Sequence, residues 1–160
     1  MRRTALAAAA LSAGTIAMPG MISAQQSDGA AETAKPGKVV IAITNLRNTK
    51  GVIRACMTTN PDIFPRCRED PASHRTVVNA GENVKLTFVN VKPGRYSVAL
   101  LHDENDNGKA DRAMLGMMPK EGFGFSNDAP VRMGPPSFKD AAFEFEGGKA
   151  ELTIKMRYML

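Results

Sequence analysis

The stretch that decides the fold runs from residue 83 to residue 103 and reads "NVKLTFVNVKPGRYSVALLHD". A turn at Pro93-Gly94 divides it into two halves. Large side chains stand at every second position in each half, first Val84, Leu86 and Phe88 and then Tyr96, Val98, Leu100 and His102. A period of two is that of a strand with one buried face. The stretch therefore predicts two strands joined as a β-hairpin.

The same alternation precedes this stretch. Residues 38–46, "KVVIAITNL", place Val39, Ile41 and Ile43 on one face, and residues 51–58, "GVIRACMT", do the same with Ile53, Ala55 and Met57. Residues 48–51 have the composition of a turn. These segments predict a second hairpin.

The C-terminal residues 141–160 continue the pattern. Phe143 and Phe145 precede a Gly147-Gly148 turn, and residues 152–158 alternate again. About seven short strands with turns between them predict an all-β, antiparallel β-sandwich over residues 37–160.

The N-terminus has the composition of an export signal. Arg2 and Arg3 precede a small-residue apolar stretch, and "ISA" at residues 22–24 is a typical cleavage site. We expect residues 1–24 to be a signal peptide and residues 25–36 a flexible lead-in, which makes the mature protein periplasmic or secreted. No later segment is long and apolar enough to predict an integral membrane helix.

Charge gives little indication of a partner. Loss of Arg2 and Arg3 with the signal lowers the net charge from +5 to +3. The remaining basic residues are scattered, which argues against nucleic-acid binding. The partner is then an unknown molecule of the cell surface or periplasm.

The chain has two cysteines, Cys56 and Cys67. An oxidising compartment favours a disulfide between them, worth about 2–4 kcal/mol. The alternative is a zinc site that adds His74 and His102 to the two thiols, although this spacing fits no standard zinc pattern.

The segment "DENDNGKAD", residues 103–111, has the first half of a calcium-loop pattern. Its side-chain and backbone oxygens stand at alternate positions, and Gly108 allows the positive φ that the bend requires. The candidate ligands are Asp103, Asn105, Asn107, the Lys109 carbonyl and Asp111.

The loop departs from a helical calcium loop at its twelfth position, which is Met114 rather than Glu. We expect a distant carboxylate to complete the shell, with Glu121 the first choice and Asp128 the alternative. Calcium binding would be weak, with a dissociation constant of order 10⁻⁴–10⁻³ M. The competing interpretation is a tight turn without metal, because Asp, Asn and Gly also favour such turns.

Two further features bear on function. His102 is expected either to be a hydrogen-bonded histidine at the edge of the core or to serve a metal site beside Asp103. The "EGFGFSND" loop, residues 121–128, either packs its two phenylalanines over the open end of the sandwich or contacts a glycan or peptide.

A longer pattern carries a family resemblance. It comprises Pro93-Gly94-x-Tyr96, His102-Asp103-x-Asn105-x-Asn107-Gly108-x-x-Asp111, Gly116, Pro119-x-Glu121-Gly122-x-Gly124-Phe125-Ser126 and Pro135-Pro136-x-Phe138. These residues resemble an uncharacterised bacterial family, domain of unknown function 2141. The resemblance implies an exported, immunoglobulin-like or prealbumin-like sandwich without an established activity. It also suggests that the Asp/Asn loop and the "EGFGFSND" loop belong to one site.

Two classes of function follow from these features. The first is an exported, non-enzymatic β-sandwich module with a structural calcium loop and a loop end that contacts a surface partner, glycan or peptide. The second is a periplasmic metal-dependent enzyme or transition-metal-handling protein that uses the same loop with His102. The sequence favours the first.

Overall fold

The structure is a computed structural model that describes residues 35–67, 70–113 and 118–159. The predicted signal peptide and all but the last two residues of the predicted lead-in lie outside this part of the chain. The described residues form ten strands, a 3-10 helix (Ser126–Asp128) and one α-helical turn, α1 (Phe138–Ala141). Within them, no helix has both the length and the apolar character needed to cross a membrane. The strands are β1 (Gly37–Thr44), β2 (Val52–Thr58), β3 (His74–Asn79), β4 (Lys85–Val91), β5 (Gly94–Asp103), β6 (Arg112–Ala113), β7 (Met118–Pro119), β8 (Gly122–Phe125), β9 (Phe143–Phe145) and β10 (Lys149–Lys155).

Two main sheets enclose the core. The first has the strand order β10-β1-β4 and the second the order β3-β2-β5-β8, while β9 pairs with the first residues of β5. β6 and β7 form a separate two-stranded ribbon. The pair β1–β10 is parallel, and the other strand pairs of the described residues are antiparallel. The predicted all-β sandwich is confirmed, with one parallel pair that the alternation did not predict.

The core consists of the residues that the alternation placed inward. Ile41 and Leu86 from the first sheet pack in one cluster with Ile53 and Val98 from the second, and each is at most 2 % exposed. The predicted inward sets of β1, β2, β4 and β5 are all buried. Since apolar burial contributes roughly 25 cal/mol per Å², these positions largely determine which face of each strand turns inward.

Both predicted hairpins are wrong. β1 and β2 lie in different sheets, and so do β4 and β5. Alternation of apolar residues indicates which face of a strand is buried but not which strand it pairs with. Two strands in opposite sheets, facing each other across the core, show the same alternation as two strands paired in a hairpin. The crossing from β4 to β5 is held by Tyr96, whose hydroxyl donates to the Lys92 carbonyl at 2.9 Å. A tyrosine that bonds back to the chain in this way is typical of corners between sheets in β-sandwiches.

Antiparallel register brings the candidate loop and Glu121 together. β5 ends at Asp103, which lies opposite Val52 of β2. On the other side, His102 lies opposite Gly122, the first residue of β8. Glu121 directly precedes that strand, so it reaches the end of β5 where the Asp/Asn loop begins.

Candidate metal centre

Asp103 anchors the Asp/Asn loop from a fully buried position. Its Oδ1 accepts the Asn107 N–H at 3.0 Å, and its Oδ2 accepts the Gly108 N–H at 2.8 Å and the Arg54 Nε at 2.6 Å. Gly108 has the positive φ that the sequence predicted, +74°. Burial acts to raise the pKa of Asp103, but the hydrogen bonds from Arg54, Gly108 and Asn107 outweigh it and hold the pKa below its usual value. Asp103 is therefore a buried carboxylate.

Two amides converge on Asp111 at the other end of the loop. Asn105 Nδ2 and Asn107 Nδ2 donate to the same oxygen, Asp111 Oδ2, at 2.9 and 3.0 Å. The Asn107 Oδ1 accepts the Lys109 N–H at 2.8 Å. With Asp103, which accepts the Asn107 N–H, five of the predicted ligand residues thus lie in one hydrogen-bonded cluster. The two amide Nδ2 groups, which carry partial positive charge, lie beside Asp111 Oδ2 where a cation could also bind.

Glu121 joins the same cluster. Its Oε2 accepts the Asp111 N–H at 3.1 Å. The side chain is buried, and its Oε1 has no hydrogen-bond partner within the described residues. Burial raises the pKa of Glu121, and the negative charges of Asp103 and Asp111 add to the rise. The backbone N–H groups of Asp111 and, to a smaller extent, Glu104 act against it. The alternative carboxylate, Asp128, instead pairs with Arg157 at 2.6 Å.

His102 lies at the same end of β5 and is fully buried. Its Nε2 lies 2.8 Å from the Lys50 carbonyl, and its Nδ1 lies 2.7 Å from the Tyr158 hydroxyl. A carbonyl only accepts, so Nε2 carries the proton; in the neutral ring Nδ1 then accepts from Tyr158. Both ring nitrogens are occupied in this arrangement. It matches the expected hydrogen-bonded histidine at the edge of the core and gives no support to His102 as a metal ligand.

Arg54 is a residue of the site that the sequence did not predict. Its Nε bonds to Asp103 and its Nη2 lies 2.6 Å from Asp106 Oδ1, so it neutralises part of the charge of the loop. An arginine on β2 carried no signal of this role, because the contact depends on the pairing of β2 with β5. A second missed pair joins Arg47 and Glu104 through two hydrogen bonds of 2.6 and 2.7 Å.

Cys56 and Cys67 form the predicted disulfide, with their Cα atoms 5.8 Å apart. This excludes the zinc alternative in this structure, since both sulfurs are bonded to each other. The His74 ring packs against Phe88 and Tyr96 instead, with ring centroids 6.1 and 6.0 Å apart.

The predicted "EGFGFSND" loop is a strand followed by a 3-10 helix. Phe125 is buried and packs edge to face on Phe64 at 6.0 Å, while Phe123 is half-buried. A Cβ added at Gly122 would overlap the Tyr158 ring, so glycine is required there for close packing. The aromatics therefore pack against the protein, as the first of the two interpretations expected, but on the outer face of the second sheet and not over the open end of the sandwich.

The described residues contain no group of three or more His, Cys, Asp or Glu side chains arranged to hold a metal ion. A cation here would thus depend on amide and backbone oxygens besides carboxylates. Calcium accepts such mixed oxygen ligands at about 2.3–2.6 Å, whereas softer metals favour nitrogen and sulfur.

One comparison with known proteins gives a result. The profile of a bacterial family described as an uncharacterised protein conserved in bacteria, domain of unknown function 2141, matches residues 41–153. The chain belongs to this family. The matched residues run from β1 into β10 and include the whole Asp/Asn loop and Glu121. Searches of curated proteins and of solved structures give no significant match.

Proposed function

We propose that this family member is an exported, non-enzymatic β-sandwich module whose Asp/Asn loop binds calcium structurally. The ligands would come from Asp103, Asn105, Asn107, the Lys109 carbonyl, Asp111 and Glu121. Contact of the loop end with a surface partner, glycan or peptide remains part of the same proposal.

The observation that carries this proposal is the buried Oε1 of Glu121, which has no hydrogen-bond partner among the residues that the structure describes. A buried carboxylate oxygen without a hydrogen bond costs about 1–3 kcal/mol or more, because it has lost its water without a replacement. A cation between Glu121 and Asp111 would remove that cost. It would also replace the two amide N–H groups that now hold Asp111 Oδ2.

Arg54 sets the strength of binding that we expect. Its guanidinium already bonds to Asp103 and competes with any ion for that carboxylate. The site is therefore weak, in the range of about 10⁻⁴–10⁻³ M that suits an extracellular compartment rich in calcium. The Cys56–Cys67 disulfide also favours an oxidising compartment.

The test is the thermal midpoint of the mature protein in chelator and then in calcium, magnesium and zinc. At 10–100 times the dissociation constant, calcium is expected to add roughly 1.4–2.7 kcal/mol, which raises the midpoint by several degrees. Magnesium and zinc should have smaller effects, since magnesium requires a near-octahedral set of oxygens and zinc favours nitrogen and sulfur, whereas calcium accepts mixed oxygen donors in irregular geometry.

A pair of variants assigns the effect. Glu121→Gln removes the proposed ligand and should abolish the calcium shift. Asp128→Asn changes the carboxylate that lies outside the cluster and should leave the shift unchanged. The proposal would be overturned if calcium did not raise the thermal midpoint of the wild type, or if it raised the midpoint of Glu121→Gln by the same amount.

A further inference from the structure

The outer face of the second sheet carries two rows of side chains. Arg54 lies between Val77 and Leu101 in the strand register, and Leu101 lies opposite Phe123. Residues two positions along the strands form the next row, and they point to the same face because side chains alternate. That row is Arg75, Cys56, Ala99 and Phe125. Together the rows form the floor of a groove on the side of the sheet away from the core.

Loops wall this groove. The disulfide loop contributes Pro65 to Cys67, the Asp/Asn loop contributes residues 108–112, and residues 131–135, Pro119 and Met159 add to the lining. The space between them measures about 1120 Å³. This volume lies slightly above the usual range for ligand sites, roughly 300–1,000 Å³. It is large enough for a molecule much bigger than a metal ion.

The lining combines basic loop residues with a largely apolar floor. The loops contribute Arg66, Lys109, Arg112 and Arg132, and the floor contributes Arg75 and Arg54, of which Arg54 is paired with Asp103 and Asp106. The acidic residues of the lining are Asp111 and Glu121, both within the metal centre. Leu101 and Ala99 are half-buried in the floor, and Val77 is 51 % exposed at its side. Such a surface complements a ligand with a negative head and an apolar body.

We propose that this groove binds one free anionic amphiphile, a molecule with an acidic head group and a single apolar chain. A peptide fits less well, because β2 is paired with β3 and β5, and β5 with β2 and β8, along the floor. Their ladder groups are therefore taken, and a ligand must bind through apolar contact and charge. A membrane surface also fits less well, since the floor is recessed between loops. Four strands at about 4.8 Å spacing give the floor a width of about 14 Å, which suits a chain of medium length.

The first test is calorimetric titration with dodecanoate below its micelle concentration. The experiment is done in chelator, so that failure of the calcium site leaves this result interpretable. Dodecanoate is expected to bind with a micromolar dissociation constant. Dodecanol and dodecyltrimethylammonium, which share the chain but not the negative charge, should bind at least about tenfold more weakly, a difference of about 1.4 kcal/mol. Equal binding of the cationic compound would overturn the proposal, as would binding only to phosphatidylglycerol vesicles.

Two matched pairs of variants locate the site. Val77→Asp places a negative charge in the groove, whereas Val89→Asp does so at a position that is 61 % exposed on β4, outside the groove lining. Arg66→Glu and Lys92→Glu form the second pair, with Arg66 in the lining and Lys92 outside it. The groove variants should weaken dodecanoate binding about tenfold and the controls less than about twofold. All four positions are exposed, and far-ultraviolet circular dichroism checks the fold. Equal losses in both members of each pair would contradict the assignment.

Discussion

His102 and Glu121 are buried polar residues at the same end of the second sheet, and they differ in how completely they are hydrogen-bonded. Both ring nitrogens of His102 have a partner, Lys50 or Tyr158. Glu121 has one oxygen on the Asp111 N–H and a second without a hydrogen bond in the described part of the chain. Buried polar groups that serve structure are nearly always satisfied, so an unsatisfied one points toward a missing partner. The comparison separates a structural network from a candidate binding site.

The largest expected effect comes from removing the His102 side chain, whose two ring nitrogens are both hydrogen-bonded. His102→Ala should lower the free energy of unfolding by about 3 kcal/mol, because it leaves a cavity and two unpaired polar groups. The stabilisation by calcium should persist in this variant, since His102 is not a proposed ligand. Urea denaturation with and without calcium measures both quantities. A loss of less than about 1 kcal/mol would show that the network is not structural.

An intermediate effect is expected at Glu121, where the substitution should stabilise the protein and not destabilise it. In chelator at pH 7, Glu121→Gln should raise the free energy of unfolding by about 1 kcal/mol, because an amide replaces a poorly solvated carboxylate.

The same variant should change the pH dependence. The pKa of Glu121 is raised above its ordinary value of 4.5, so the folded protein keeps a proton that the unfolded chain has lost. Its contribution to stability is therefore present at low pH and declines as pH rises from 4.5 through the folded pKa. Denaturation curves from pH 4 to pH 8 should show this decline in the wild type and a flatter profile in Glu121→Gln. Parallel profiles would argue that Glu121 is well solvated or otherwise paired.

The smallest effect is expected at Glu104, beside the His102 network. Its hydrogen bonds with Arg47 lower the pKa of Glu104 to about 2, against the opposing effect of burial. The stabilisation is then complete above pH 4.5 and is lost as pH falls through about 2. Because the Arg47 side chain is about a third exposed, Glu104→Gln should cost less than about 1 kcal/mol at pH 7.

Salt and a second variant check this prediction. Added salt should reduce the difference between the wild type and Glu104→Gln, since solvent reaches the pair. Glu144→Gln, in an ion pair whose side chains are both more than half exposed, is the control and should have no measurable effect. A larger loss of unfolding free energy in Glu144→Gln than in Glu104→Gln would contradict the prediction that the Arg47–Glu104 pair is the more stabilising of the two.

Much of the site was predictable, but the residues that shape it were not. The spacing of Asp103, Asn107 and Gly108 predicted a sharp loop, because those residue types favour one locally. Glu121 was an inference from its position in the chain, and the register of β5 with β8 is what places it beside the loop. Arg54 left no local signal, since its contact with Asp103 depends on the pairing of β2 with β5.

Alternation of apolar residues was sufficient to predict the all-β class and the buried faces of β1, β2, β4 and β5, because apolar side chains at every second position leave water together when one face packs on the core. It did not predict β3 or β8, whose short segments lack that pattern. Strand pairing was decided only in the tertiary structure, where β1, β4 and β10 form one sheet and β2, β3, β5 and β8 the other. A strand with one apolar face can pair with any neighbour that continues that face, so partner and direction depend on how both sheets close over a common core. The same packing brings Arg54, Asp103 and Glu121 together, which is why the chemistry of the loop could be predicted and its surroundings could not.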